Sequence, residues 1–96
     1  MTLTALSHAD IKARCAALPG WEPTDDDFIR KSWKLGDFDR AMAFINAVAD
    51  VARELDHHPN LSNVYDNVEL AMQTHDAGGV TDRDFEFARR VEALGY

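Results

Sequence analysis

Residues 36–76 read GDFDRAMAFINAVADVARELDHHPNLSNVYDNVELAMQTHD, and a change of period inside this stretch decides the fold. Gly36-Asp37 makes a turn, after which Phe38, Met42, Ile45, Ala49, Ala52 and Leu55 recur every three or four residues, with Val48 widening the stripe. That spacing lines up apolar side chains on one face of a helix, with Asp39, Arg40, Asn46, Asp50 and Arg53 opposite. Beyond Leu55 the period drops to two. Asp56-His57-His58-Pro59-Asn60 is a loop fixed by its proline, Ser62 to Tyr65 reads as a short strand, and Asp66-Asn67 as a two-residue turn. Val68, Leu70 and Met72 then alternate with Glu69, Ala71 and Gln73, giving the second strand of a hairpin.

The flanks extend the pattern. Upstream, Phe28 to Leu35 alternates, with Ile29, Trp33 and Leu35 pointing one way and Arg30, Ser32 and Lys34 the other. Lys31 breaks the apolar face. Asp25-Asp26-Asp27 is a solvated turn and Trp21 to Pro23 a short extended piece. Ser7 followed by Asp10 starts a helix carrying Ile11, Cys15 and Leu18 on one face, and Pro19-Gly20 ends it. Downstream, Thr74 to Gly79 is a glycine-rich exit loop. Thr81 caps a last helix with Asp84 at its third position, and Phe85, Ala88, Val91 and Leu94 form the buried stripe. The order is α-β-β-α-β-β-α. Short connections make both strand pairs antiparallel hairpins, so the expectation is α+β: a four-stranded antiparallel sheet with three helices on one face.

Composition narrows the function classes. Ninety-six residues support one domain, spanning residues 1–96. A net charge of −7 argues against direct binding to nucleic acid or to an anionic membrane, both of which need clustered Lys and Arg. The single cysteine, Cys15, makes no internal disulfide and no multi-cysteine metal site. No apolar run approaches the ~20 residues that span a bilayer. Met1 to Leu6 lacks both the basic start and the apolar stretch of a signal peptide, so a reducing, cytoplasmic setting is expected.

Histidine carries the chemistry. His57 and His58 precede the second hairpin and His75 follows it. The start and finish of an antiparallel pair lie at one end of the sheet, so the three imidazoles can converge. Pro59 pushes His58 into an extended conformation, which limits where the rings aim. Imidazole exchanges protons near neutral pH, and a neighbouring carboxylate such as Asp56 or Asp76 fixes its tautomer or favours its charged form. No serine is paired with a base, and Cys15 is far away in sequence. Acid–base catalysis therefore fits better than covalent catalysis. Zinc is the nearest competing chemistry, but adjacent histidines are an awkward way to supply two ligands. His8 reads as a loop residue with a satisfied hydrogen bond and Gly78-Gly79 as a turn. Trp21 and Trp33 read as core or interface residues, with Trp21 also a candidate ligand platform.

The motif Asp56-His57-His58-Pro59, then Asn63-Val64-Tyr65, Val68, Thr74-His75-Asp76, Gly79-Val80-Thr81 and Asp84, resembles the pterin-4a-carbinolamine dehydratase signature. The similarity continues upstream through Leu18-Pro19-Gly20-Trp21 and Asp37-Phe38-Arg40-Ala41-Phe44 and covers nearly the whole chain. The resemblance implies loss of water from a 4a-hydroxytetrahydropterin to give quinonoid dihydropterin, in recycling of the cofactor of aromatic amino-acid hydroxylases. It implies no metal and no added cofactor. Carried over by motif, His57 and His75 are the acid–base pair and His58 binds and orients substrate. Asp56, Pro59, Trp21, Asp76 and Asp84 complete the candidate substrate-binding set. Asp56, Asp76 or Asp84 would stabilise developing positive charge or orient an imidazole. Leu61 stands where many members carry Trp, and Arg53 where some carry Glu.

The same resemblance implies a homo-oligomer, dimer or tetramer. It also offers an alternative function, because animal members serve as protein-binding dimerisation cofactors of a homeodomain transcription factor. Phe44 or Val48 would serve such an interface. A third alternative is a catalytically weak member that keeps the fold.

Overall fold

Short polar side chains set where each helix begins. Helix α1 (His8–Ala16) starts at Ser7, whose hydroxyl accepts the Asp10 N–H at 3.2 Å. Helix α2 (Phe38–Leu55) starts at Asp37, whose carboxylate accepts the Arg40 N–H at 2.7 Å. Helix α3 (Asp82–Glu92) starts with a complete capping box between Thr81 and Asp84. These contacts come from a computed structural model, which describes residues 4–96. The part of the leader reading that falls on residues 1–3 lies outside the described residues.

Between the helices run β1 (Glu22–Pro23), β2 (Ile29–Lys34), β3 (Asn60–Val64) and β4 (Asn67–Met72). All pairings are antiparallel, in the order β1-β2-β4-β3. The chain therefore has the expected α+β architecture of three helices on a four-stranded sheet. Ile29 lies opposite Met72, Lys31 opposite Leu70 and Trp33 opposite Val68. These six side chains share the inner face, and Ile29, Val68, Leu70 and Met72 are completely buried in one core with residues of all three helices. Arg30, Ser32 and Lys34 stand exposed on the outer face. Among the described residues, no helix is long and apolar enough to cross a membrane.

Lys31 sits on the inner face without breaking it. Its ammonium reaches the edge of the core, where it meets Glu92 Oε1 at 2.5 Å and the Pro19 carbonyl at 3.0 Å, over the Trp33 ring. The alkyl stem covers apolar surface while the head is paired.

Two expectations need correction. The β3–β4 turn is Tyr65-Asp66, not Asp66-Asn67. With Asn63 opposite Val68 and Val64 opposite Asn67, the register leaves only those two residues to reverse the chain. Tyr65 takes a positive φ of 53° there, and the Asn63 side-chain amide holds the turn by donating to Tyr65 O and Asn67 O. The buried face of α2 is also rotated from the expected stripe. Ala41, Phe44, Val48, Val51 and Ala52 are buried, Met42, Ile45 and Ala49 are half-buried, and Phe38 is exposed. Apolar residues cover so much of this helix that periodicity alone does not choose a direction. Phe44 chooses it by packing against Trp33 and Tyr96 at ring distances of 4.8 and 5.1 Å. Phe44 and Val48 are wholly buried within this one chain and offer no surface to a partner.

Candidate active site

Antiparallel pairing brings the histidines together as the hairpin geometry requires. Asn60, at the start of β3, lies opposite Ala71, near the end of β4, so the residues before β3 and after β4 share one end of the sheet. Each histidine is then fixed by its own local structure.

His57 follows directly from the end of α2. Asp56 adopts the left-handed conformation (φ 48°, ψ 47°), the His57 N–H donates to Ala52 O at 3.1 Å, and the Asp56 N–H to Arg53 O at 3.4 Å. This paired closure is a Schellman ending, with Asp where glycine is commoner. The Arg83 guanidinium reaches back from α3 and donates to Leu55 O and Asp56 O at 3.0 and 2.8 Å, satisfying two carbonyls left over at the helix end. His57 thus enters the site on an anchored backbone. His75 opens a short 3-10 turn, His75–Ala77, closed by an antiparallel bridge between Thr74 and Gly79. Gly78 takes φ 70° to let the chain return.

His57, His58 and His75 line one cleft of about 260 Å³, together with Asp56, Asp76, Gln73, Thr74 and Arg83. His58 and His75 are exposed, whereas His57 is only 8% exposed. Its Nε2 lies 2.6 Å from Oδ1 of Asp84, a carboxylate with no exposed surface. Oδ2 of Asp84 accepts the Thr81 N–H and the Thr74 hydroxyl, each at 2.9 Å. Thr74 Oγ1 is 2.7 Å from Thr81 Oγ1, which itself accepts the Arg83 N–H at 3.2 Å.

Two backbone amides that can only donate, those of Thr81 and Arg83, constrain the proton order in this network. Thr74 gives its proton to Asp84 Oδ2, so Thr81 gives its own to Thr74, and with Asp84 as a carboxylate Oδ1 accepts as well. Facing a carboxylate oxygen, the imidazole donates from Nε2, which leaves Nδ1 as the free ring nitrogen. Among the described residues no buried side-chain nitrogen or oxygen lacks a partner. Nδ1, with no protein partner, is therefore not fully enclosed, and His57 is one of the residues that line the cleft. Asp84 thus caps α3 and fixes a ring with the same carboxyl group.

Other candidate residues fall outside the cleft. Trp21 is 4% exposed, packs edge-on against Trp33 and donates from Nε1 to Glu92 at 2.8 Å, so it is a core residue. Pro59 lies in a separate groove with Ile45, Ala49, Arg53 and Leu61, which only His58 shares with the cleft. A larger depression of about 590 Å³, lined by Glu22, Asp25, Asp26, Arg30 and Glu69, contains no histidine. Among the described residues, no three His, Cys, Asp or Glu side chains are grouped closely enough to hold a metal ion.

Sequence reasoning singles out neither Thr74 nor Arg83 as a site residue, although each leaves a signal. Thr74 continues the inward alternation of Val68, Leu70 and Met72 by one step, placing a polar group at a core position. Arg83 is a cation in the first turn of a helix, where the macrodipole disfavours it unless another partner holds it.

Comparison with known proteins agrees with this geometry. The family model described as pterin 4 alpha carbinolamine dehydratase matches residues 4–94. A Streptomyces avermitilis protein, provisionally named a pterin-4-alpha-carbinolamine dehydratase, is 45% identical over 95 residues, covering 98% of this chain and 93% of its own. A Paraburkholderia xenovorans protein with the same provisional name is 41% identical over 90 residues, covering 93% and 94%. The crystal structure of a transcriptional coactivator/pterin dehydratase from Brucella melitensis matches with a TM-score of 0.92 at 34% identity, over 97% of this chain and 100% of that one. A pterin dehydratase-like protein described as a RuBisCO assembly factor in the alpha-carboxysome matches at 0.66 and 25% identity, over 78% and 88%.

Proposed function

Because the chain belongs to the pterin 4 alpha carbinolamine dehydratase family, we propose that it removes water from a 4a-hydroxytetrahydropterin by histidine acid–base catalysis. The observation that carries this reading is the single cleft lined by three imidazoles, one of them held by a buried carboxylate.

Hydroxide is a poor leaving group, so the C4a–O bond breaks as His75 donates a proton and the bonding electron pair leaves with the oxygen as water. The ring then carries positive charge, and a ring N–H proton passes to Nδ1 of His57. Asp84, already bonded to Nε2, stabilises the imidazolium that forms. Water in the cleft returns that proton to His75, and both residues are ready again. Asp56 and Asp76 place carboxylates around the developing charge, and His58 orients the heterocycle. Neither a metal nor an added cofactor enters these steps.

In this reading residues 1–96 form one catalytic domain of the cytoplasm, recycling the pterin oxidised by an aromatic amino-acid hydroxylase. The exposed outer sheet face suits a homo-oligomer. Relatives described as a coactivator or an assembly factor show other uses of the fold, but a protein used only for binding has no need of the His57–Asp84 pair.

The test is dehydration of carbinolamine generated in situ, with the spontaneous rate subtracted. Wild type should exceed the background clearly, His57→Ala and His75→Ala should lose about 100-fold or more in kcat, and His58→Ala should chiefly raise KM. A wild-type rate equal to the spontaneous one overturns the reading.

A further inference from the structure

The chain Thr81–Thr74–Asp84–His57 contains a residue that lines the cleft and has no step of its own in the proposed reaction. Thr74 is 5% exposed, and its hydroxyl sits between two buried partners, Thr81 Oγ1 at 2.7 Å and Asp84 Oδ2 at 2.9 Å. The Asp84 carboxylate could tilt out of line with the His57 ring, because its terminal torsion is soft. Two donors on Oδ2, the Thr81 amide and the Thr74 hydroxyl, prevent this from opposite strands of the loop. Thr81 cannot replace Thr74, since its amide alone leaves Oδ2 with one donor and its hydroxyl points at Thr74.

We propose that Thr74 is a positioning residue: its hydroxyl, oriented by Thr81, locks the Asp84 carboxylate so that His57 keeps its proton on Nε2 and turns a bare Nδ1 to the cleft. The inference deepens the dehydratase reading and rests on it for its kinetic arm only. The tautomer is a property of the resting protein.

Thr74→Val keeps the shape and removes the hydroxyl, and Thr74→Ser restores the hydroxyl with less bulk. The experiment records the imidazole nitrogen NMR signals of His57 in the intact chain, assigned by loss in His57→Gln, alongside carbinolamine dehydration. Wild type and Thr74→Ser should show a single Nε2–H tautomer. Thr74→Val should show a mixture of tautomers, with kcat down about tenfold, KM little changed and a cooperative thermal transition retained. A pure Nε2–H tautomer in Thr74→Val, or a Thr74→Ser as impaired as Thr74→Val, would refute the proposal. A wild-type protein without dehydratase activity removes only the kinetic arm, and the nitrogen spectra still decide the role of Thr74. If Thr74→Val fails to fold, Thr74→Ala and Thr74→Cys, both lacking the hydroxyl, are read in the same way.

Discussion

Replacing Asp84 by Asn tests the electrostatic heart of the site with almost no change in shape. The Asn side chain has one acceptor oxygen and one NH2 group, and their placement is forced. The Thr81 amide can only donate, and the Thr74 hydroxyl gives its proton to the same oxygen, so the side-chain oxygen stays where Oδ2 is now, 2.9 Å from both. The NH2 group then faces Nε2 of His57 at the present 2.6 Å position. Two donors cannot share that contact, so the imidazole must move its proton to Nδ1. The ring would present an N–H to the cleft where the wild type presents a lone pair. It could no longer accept a proton in its neutral form, and kcat should fall by about 100- to 10,000-fold, the usual worth of general base catalysis. Stability should suffer far less. Most hydrogen bonds of the network survive, and the lost charge assistance is worth about 1–1.5 kcal/mol. For a domain of this size that lowers Tm by roughly 5–10 °C. The assays are carbinolamine dehydration at saturating substrate and thermal melting by circular dichroism. An Asp84→Asn protein that melts within this range yet turns over near the wild-type rate would refute the tautomer argument.

Three further outcomes follow from other parts of the molecule. Asp56 holds a left-handed conformation and puts a carboxylate at a helix C-terminus, so Asp56→Gly should raise stability by about 0.5–1 kcal/mol in urea titration, with any rise in KM measuring its contact with substrate. Destabilisation instead would contradict the reading of the helix end. Gly20 has φ 86°, and an added Cβ would lie 2.8 Å from Lys31 Cε, so Gly20→Ala should lower stability by about 1–2 kcal/mol; an unchanged melting curve would count against it. Burial, reinforced by the Glu22 carboxylate, pushes the Cys15 thiol above its ordinary value of 9.0. The unfolded chain ionises first, so this contribution is complete below about pH 9 and is lost as pH rises toward the folded value. Urea midpoints should therefore fall more steeply above pH 9 for wild type than for Cys15→Ala, and parallel curves would exclude the effect.

The sequence disclosed most where one residue's local chemistry was decisive. Ser7 and Thr81 each announced a helix start that the structure contains, and the Gly36-Asp37 turn marked where α2 begins. The position of His57, His58 and His75 followed from hairpin connectivity alone, because pairing fixes where two chain ends meet. What stayed hidden depended on packing between distant segments. The direction in which α2 buries its broad apolar surface is chosen by the rings of Trp33 and Tyr96, which periodicity does not see. The place of Trp21 depends on Glu92, 71 residues away. Asp84 was legible as a capping residue, but its second partner lies 27 residues away across the fold, and spacing gave no hint of it. The turn at Tyr65-Asp66 was misread by one position because composition favours Asp-Asn, whereas register favours its neighbour.

One carboxyl group closing the first turn of α3 and gripping His57 couples two properties that proteins usually tune apart. Any fraying of that helix start releases the ring at once, so a single local opening would silence the site while the sheet stays intact. In the proposed dehydratase, a mutation chosen to tighten or loosen this corner for thermal tolerance would thereby alter turnover as well.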